Sequence, residues 1–236
     1  MHYLDIPHPC SYLPDQTARL EHLEVDRLTV EKYSLALDYR WRRFGTGLFR
    51  PRCPSCQACR PIRVDVAAFR PDRSQRRAWK SNAGLVDLDI GEPSATAEKL
   101  DLYTRYHAHQ EVARGWPSHG GVDRDAYISA FVANPIPTRE WTYRLDGALV
   151  GVGYVDDVPG KLSAIYFYHD PAHAGRSLGT WNVLSLLEHA RERRIPHLHL
   201  GYYVEGCGSM VYKSRYVPSE LMEADGRWHP FRTSAV

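Results

Sequence analysis

Residues 161–181 read KLSAIYFYHDPAHAGRSLGTW, and they decide the fold. Lys161–His169 is apolar and aromatic, which predicts a strand. Gly175-Arg176-Ser177-Leu178-Gly179-Thr180 follows as a loop, and a helix is predicted from Trp181 to about Arg194. Upstream, Thr138–Leu145 and Ala148–Asp156 read as two strands joined by a hairpin turn at Asp146-Gly147. Downstream, Pro196–Tyr203 reads as a fourth strand. The order strand, hairpin, strand, strand, loop, helix, strand describes an α+β unit: a mixed sheet with flanking helices.

Before this unit the pattern is less regular. Asp125–Val132 and Glu98–Glu111 read as helices, with Leu100, Leu102, Tyr103 and Tyr106 as buried positions of the longer one. Ile62–Val66 alternates as a strand, and Phe69–Lys80 is a basic loop turning into helix. Glu24–Arg40 has helical character, ended by Gly45 and Gly47, and residues 1–20 form an irregular arm. The expected division is a basic, cysteine-containing N-terminal module over residues 1–85 and a second unit over 86–236.

The chain carries 30 Lys and Arg against 28 Asp and Glu, so its net charge of +2 excludes a general polycation. Binding to a phosphate-rich partner must come from patches. These are Arg40, Arg42, Arg43, Arg50 and Arg52, then Arg60 to Lys80, then Arg191, Arg193 and Arg194. No apolar run approaches the ~20 residues of a membrane helix, and the N-terminus lacks the pattern of a secretory signal, so the cytoplasm is the expected location. Five cysteines there read as ligands or thiols, not disulfides.

Four constellations carry chemistry. Cys53, Cys56 and Cys59 converge on one tight loop, with Cys10 as a remote fourth thiol; the set suits zinc or an iron–sulfur cluster, and the spacing leaves both open. Arg73, Arg76, Arg77 and Lys80 share a helical face suited to phosphate, and Trp79 can stack on a base. The Gly175–Thr180 loop opens a helix, where backbone N–H groups favour anions. It resembles the coenzyme A pyrophosphate loop of GNAT acetyltransferases, Arg/Gln-x-x-Gly-x-Gly/Ala, with Trp181 in place of the last small residue. Finally, Tyr166 and Asp170 close the strand before that loop, while Tyr212, Lys213 and Arg215 gather two cations and a phenol near the C-terminus.

Cys10-Ser11-Tyr12-Leu13-Pro14, Arg52–Cys59, Arg73-Ser74-Gln75-Arg76-Arg77, Ser163–Tyr166, Arg176–Thr180, Gly201-Tyr202-Tyr203 and Tyr212–Tyr216 together resemble the bacterial aminoacyl-tRNA–protein transferases, in the aspartate/glutamate leucyltransferase branch related to eukaryotic arginyltransferases. The resemblance spans nearly the whole chain in order. It implies a GNAT-like acyltransferase domain behind the smaller cysteine-containing module. It implies transfer of leucine from leucyl-tRNA to proteins with N-terminal Asp or Glu, which marks them for degradation through the N-degron pathway. It also implies a metal or cluster at Cys10, Cys53, Cys56 and Cys59, although the double cysteine of the eukaryotic relatives is absent because position 58 is Ala. After Gly201-Tyr202 the family usually places Trp and an apolar residue; here the chain reads Tyr203-Val204-Glu205-Gly206.

Ester aminolysis is downhill and needs no cofactor, only docking of two partners, removal of a proton and stabilisation of an oxyanion. Asp170 is the candidate base, and Tyr166 and Lys213 are candidate donors to the oxyanion or leaving hydroxyl. Arg73, Ser74, Gln75, Arg76, Arg77, Lys80, the Arg176–Thr180 loop (Arg176, Ser177, Leu178, Gly179, Thr180), Tyr202, Tyr212 and Arg215 are candidates for substrate binding, with the loop placed on phosphates of the tRNA end. Arg63, Arg73, Arg76 and Arg77 are candidates for the acidic acceptor side chain. The residues alone also leave open an arginyl-tRNA donor, an acetyl-CoA-dependent GNAT acetyltransferase and a non-catalytic cluster-binding RNA sensor.

Overall fold

The computed structural model describes residues 1–118 and 120–231. The N-terminal arm is not irregular. It holds β1 (His2–Leu4), β2 (His8–Pro9), β3 (Thr17–Ala18) and β4 (Leu20–Glu24). Helix α1 spans Val30–Asp38, shorter than expected at both ends: Thr29 caps it by accepting from the Lys32 N–H, and the chain turns at Arg40, φ 69°. Strands β5 (Arg42–Phe44) and β6 (Gly47–Pro51) follow. They join β1 and β4 in a four-stranded sheet of order β1-β4-β6-β5, while β2 and β3 pair alone. The alternation there is too short to read from sequence.

Strand β7 (Arg60–Asp65) and helix α2 (Arg73–Asn82) come next. Asp72 and Gln75 form a capping box at the start of α2, fixing where the basic loop becomes helix. Then come β8 (Val86–Gly91), α3 (Ala97–Arg114) and α4 (Arg124–Tyr127), the last continuing as a π-helical turn over Ile128–Val132. The remaining elements are β9 (Thr138–Leu145), β10 (Ala148–Val158), β11 (Lys161–His169), α5 (Leu178–Glu192), β12 (His197–Tyr203), β13 (Ser219–Met222) and β14 (Trp228–Pro230). One 3-10 turn covers Pro171–Arg176 and another Val211–Arg215.

The large sheet has eight strands in the order β14-β13-β7-β12-β11-β10-β9-β8. All neighbours run antiparallel except β11 and β12, which are parallel and are joined through α5. The predicted hairpin between β9 and β10 is present, with Asp146 and Gly147 both at positive φ. Strand β7 lies between β12 and β13, so the large sheet crosses the expected boundary at residue 85.

Side chains alternate across the sheet. Val150 and Val155 of β10 pack with Leu184 and Leu187 of α5, Ile62 and Val64 of β7 and Leu198 of β12. Val152 and Tyr154 face Leu102 of α3, Tyr127 and Phe131. The sheet therefore has α5 on one face, with α2 packed against α5, and α3 and α4 on the other.

Several arginines that read as surface patch are structural. Arg43 is buried, and its guanidinium donates to both Asp156 oxygens at 2.9 and 2.6 Å and to Thr138, Asn134 and the Gly45 carbonyl. This pins β5 to β10. Arg42 is buried and donates to the Ala164 carbonyl at 2.8 Å. Arg50 and Arg52 both bind Glu21, and Arg60 binds Glu223 at 3.0 Å. No helix among the described residues is long and apolar enough to cross a membrane.

Candidate active site

The parallel strands β11 and β12 pair only over Lys161–Ser163 and His197–His199, then part. The register between β10 and β11 slips at Tyr154/Val155, which bends β10 away at the same level. The result is a cleft of about 420 Å³ beyond the C-terminal half of the parallel pair, where ligands bind in open α/β sheets. Its walls include Tyr154, Ala164–Phe167, Asn182, Leu200, Gly208 and Ser209. Its mouth carries Tyr106, Arg114, Trp116, His169 and Tyr212. Among the described residues that line it there is no Asp or Glu.

Lys213 lines the cleft and is buried, its Nζ donating to the Tyr202 carbonyl at 2.6 Å. Burial pushes its ammonium down to about 7; the Arg42 guanidinium acts in the same direction, against the Cys207 and Cys59 thiols. Near neutral pH this amine is therefore partly unprotonated. Tyr166 projects into the same cleft, with its hydroxyl 2.9 Å from His107 Nε2. Burial, with Tyr103 and Tyr106 nearby, pushes the Tyr166 phenol well above its ordinary value, so it stays a neutral donor. Burial also lowers His169, which keeps its ring neutral at pH 7.

The predicted anion loop divides. Gly179 and Thr180 line the cleft at the start of α5, where no side chain caps the helix. Ser177 provides the left-handed residue before it, φ 55°. Leu178 is buried in the core, and Arg176 turns away to the Ser81 carbonyl at 2.9 Å. Trp181, standing where the coenzyme A pattern has a small residue, packs against Trp79 at 4.7 Å.

Other predicted residues lie outside the cleft lining. Asp170 accepts from the Ala172 N–H and pairs with Arg105 at 2.8 Å. Burial alone would raise its carboxyl, but the Arg105 guanidinium and the Ala172 amide outweigh it and hold it below the usual value. A carboxylate so engaged is a cap and an ion pair, and a poor base. Asp170→Asn is expected to cost about 1 kcal/mol of stability and to leave turnover in place, read by thermal melts beside a transfer assay.

Arg63 binds Glu220 at 2.6 Å and stacks on Trp228. Tyr202 is buried, its hydroxyl donating to the Arg40 carbonyl at 2.5 Å. Gln75 is buried in the α2 cap and donates to the Arg215 carbonyl at 3.0 Å, while Arg215 itself pairs with Asp72 and with the Ser74 hydroxyl. Arg73, Arg76, Arg77 and Lys80 remain exposed on α2 and make no ion pair among the described residues. Arg76 also lines an apolar groove of about 360 Å³ that holds Trp79, Leu184 and Leu187, apart from the cleft.

Cys10, Cys53, Cys56 and Cys59 all line one cavity of about 240 Å³, together with Arg40, Arg50 and Arg52. As arranged, no group of three or more His, Cys, Asp or Glu among the described residues could hold a metal ion. Burial and the neighbouring Cys53, Cys10 and Cys56 charges push the Cys59 thiol up to about 12. By chemistry alone, though not by their present arrangement, four thiols lining one cavity are donors of the kind a soft cation takes. Three hydrogen bonds run from this cavity to the cleft: Arg40 to the Cys59 carbonyl, Tyr202 to the Arg40 carbonyl, and Lys213 to the Tyr202 carbonyl.

Residues 8–77 match the model of the arginine-tRNA-protein transferase N terminus, and residues 98–223 match that of its C terminus. The chain is 39% identical over 233 residues to the aspartate/glutamate leucyltransferase of Stenotrophomonas maltophilia (strain K279a), covering 95% of this chain and 90% of that protein. It belongs to the aminoacyl-tRNA–protein transferase family. A second aspartate/glutamate leucyltransferase, from Pseudomonas fluorescens (strain SBW25), is 38% identical over 230 residues, covering 96% of this transferase and 94% of that one. Among solved structures, FemX matches with a TM-score of 0.53 at 8% identity, over 93% of this transferase and 86% of that chain. That likeness concerns the fold.

Arg114, Trp116 and Asn182 line the cleft and have no local motif in the sequence. His107 and Arg42 lie behind the lining: His107 meets the Tyr166 hydroxyl, and Arg42, which read as part of a cationic patch, sits beside Lys213. Only the parting of β11 and β12 brings them together.

Proposed function

We propose that this protein transfers leucine from leucyl-tRNA to the α-amine of proteins that begin with Asp or Glu, giving them the N-terminal leucine of an N-degron. The observation that carries the reading is a cleft with cations and no carboxylate, opening at the uncapped start of α5, in a chain of this family. Such a cleft disfavours an ammonium and so presents the acceptor amine in its nucleophilic form. It also favours an acidic first side chain and repels a basic one.

In the proposed GNAT-like arrangement, the amides of Gly179 and Thr180 hold a phosphate near the tRNA 3′ end, in the role coenzyme A phosphates take elsewhere. The neutral Lys213 amine accepts a proton from the acceptor ammonium. The freed amine attacks the ester carbonyl, and Tyr166 donates to the developing oxyanion. As the tetrahedral intermediate collapses, the C–O bond to the ribose breaks. The second N–H proton passes to the departing ribose oxygen, and Lys213 returns its proton to solvent. One amide forms, one ester is lost and one proton is released.

The exposed face of α2 is proposed to hold the tRNA body. Replacing Arg76 and Arg77 by Gln is expected to weaken tRNA binding and to reduce the slope of log K against log salt by about one per lost phosphate contact. An unchanged slope in a salt titration contradicts this placement. Cys10, Cys53, Cys56 and Cys59 would hold zinc or an iron–sulfur cluster, its negative tetrathiolate charge offset by Arg40, Arg50 and Arg52. When bound it would cross-link the arm to the β6–β7 loop and take no part in the transfer.

The donor is tested by supplying leucyl-tRNA, arginyl-tRNA or acetyl-CoA with an Asp-initiated peptide. Transfer from leucyl-tRNA alone is expected. Transfer only from arginyl-tRNA or acetyl-CoA contradicts the reading.

A further inference from the structure

Resting on that reading, the acidic acceptor side chain needs a cation in the cleft, and the arginines that sequence suggested are elsewhere. Arg63 is paired with Glu220 and stacked on Trp228. Arg73, Arg76 and Arg77 lie on α2, outside the cleft lining. Among the described residues, the Arg and Lys side chains that line the cleft are Arg114 and Lys213. Lys213 sits deep, donates to the Tyr202 carbonyl and is partly neutral, which suits a proton carrier more than a permanent counter-charge.

Arg114 differs in each respect. It lies in the last turn of α3, is exposed at the mouth, and makes no ion pair among the described residues. Its charge reaches the Tyr106 phenol and the His169 ring, which line the cleft beside it. A guanidinium binds a carboxylate through two parallel hydrogen bonds, which an ammonium or an amide does not reproduce. Its long exposed side chain can take up the one-methylene difference between Asp and Glu.

We infer that Arg114 is the specificity-determining residue that reads the acidic side chain of the acceptor N-terminus. It acts on acceptor choice and not on the chemistry of transfer. The test compares peptides beginning with Asp and its neutral isostere Asn, and with Glu and Gln, using leucyl-tRNA at saturation. The full-length protein is assayed as wild type, Arg114→Ala and Arg114→Glu. In the wild type, kcat/KM is expected to favour Asp over Asn by about tenfold or more, and Arg114→Ala is expected to bring the ratio near one, chiefly through KM for the Asp peptide. Arg114→Glu is expected to invert it, while the rate with the Asn peptide moves little in either variant. A ratio near one in the wild type, or one kept in both variants, overturns the inference. Failure of the wild type to transfer leucine to any of the four peptides overturns the leucyltransferase reading instead.

Discussion

Lys213→Met is expected to cut leucyl transfer sharply and at the same time to make the protein more stable near neutral pH. The two effects share one cause. Lys213 is buried beside Arg42, and its pKa falls from 10.5 to about 7. The folded value lies below the unfolded one, so the unfolded chain binds more protons between about pH 7 and 10.5. Stability contributed by this group therefore rises with pH across that window and is at its lowest below pH 7. The shift corresponds to a penalty of about 5 kcal/mol, of which losing the donor to the Tyr202 carbonyl gives back about 1–2 kcal/mol. A net gain of about 3–4 kcal/mol is expected from urea titrations of the variant at pH 7. The gain should shrink as pH rises toward 9, because removing the Lys213 proton on folding costs less as the pH nears its unfolded pKa. Turnover should fall on the order of 10²- to 10⁴-fold, the usual range for losing a positioned acid–base group. A variant that loses stability and keeps its turnover would make Lys213 an ordinary packing residue.

Asp156→Ala is expected to be the most damaging single change to the fold. Asp156 is fully buried and holds both arms of the Arg43 guanidinium, and Thr138 donates to it at 2.7 Å. Removing the carboxylate strands a buried cation, which costs about 3–5 kcal/mol. The pair fastens β5 of the small sheet to β10 of the large one, so the loss falls on the contact between them. Asp156→Leu combined with Arg43→Met is expected to recover most of that stability, because the cost lies in the unpaired charge and not in the missing attraction. Urea midpoints of the single and double variants check this, and a double variant as unstable as the single one contradicts it.

The sequence shows the centre of the fold because its signals are local. Alternation over Thr138–Leu145, an Asp-Gly turn and an aromatic run at Lys161–His169 each fix their own element. The two-residue gaps between Cys53, Cys56 and Cys59 likewise place those thiols on one loop, and Cys10 joins them in one cavity. What was hidden depends on distant partners. Strand β7 lies between β12 and β13, strands more than a hundred positions further along, and nothing within Ile62–Val66 says so. Arg43 and Arg63 look like part of a cationic run until Asp156 and Glu220 meet them across 113 and 157 residues. Asp170 shows the same limit: an Asp before a Pro at a strand end reads equally as a base or a cap, and its pairing with Arg105 comes from α3, 65 residues away. Arg114 has no motif at all; its position at the mouth follows from the length of α3.

The central claim is that the parting of β11 and β12 forms an aminoacyl-transfer site for acidic N-termini. It is tested most directly by incubating the protein with labelled leucyl-tRNA and peptides beginning with Asp, Glu, Lys or Arg, and sequencing the products from their N-termini. Leucine joined ahead of Asp and Glu, and absent from the Lys and Arg peptides, is the predicted result. Leucine added to the Lys and Arg peptides, or to none of the four, contradicts it.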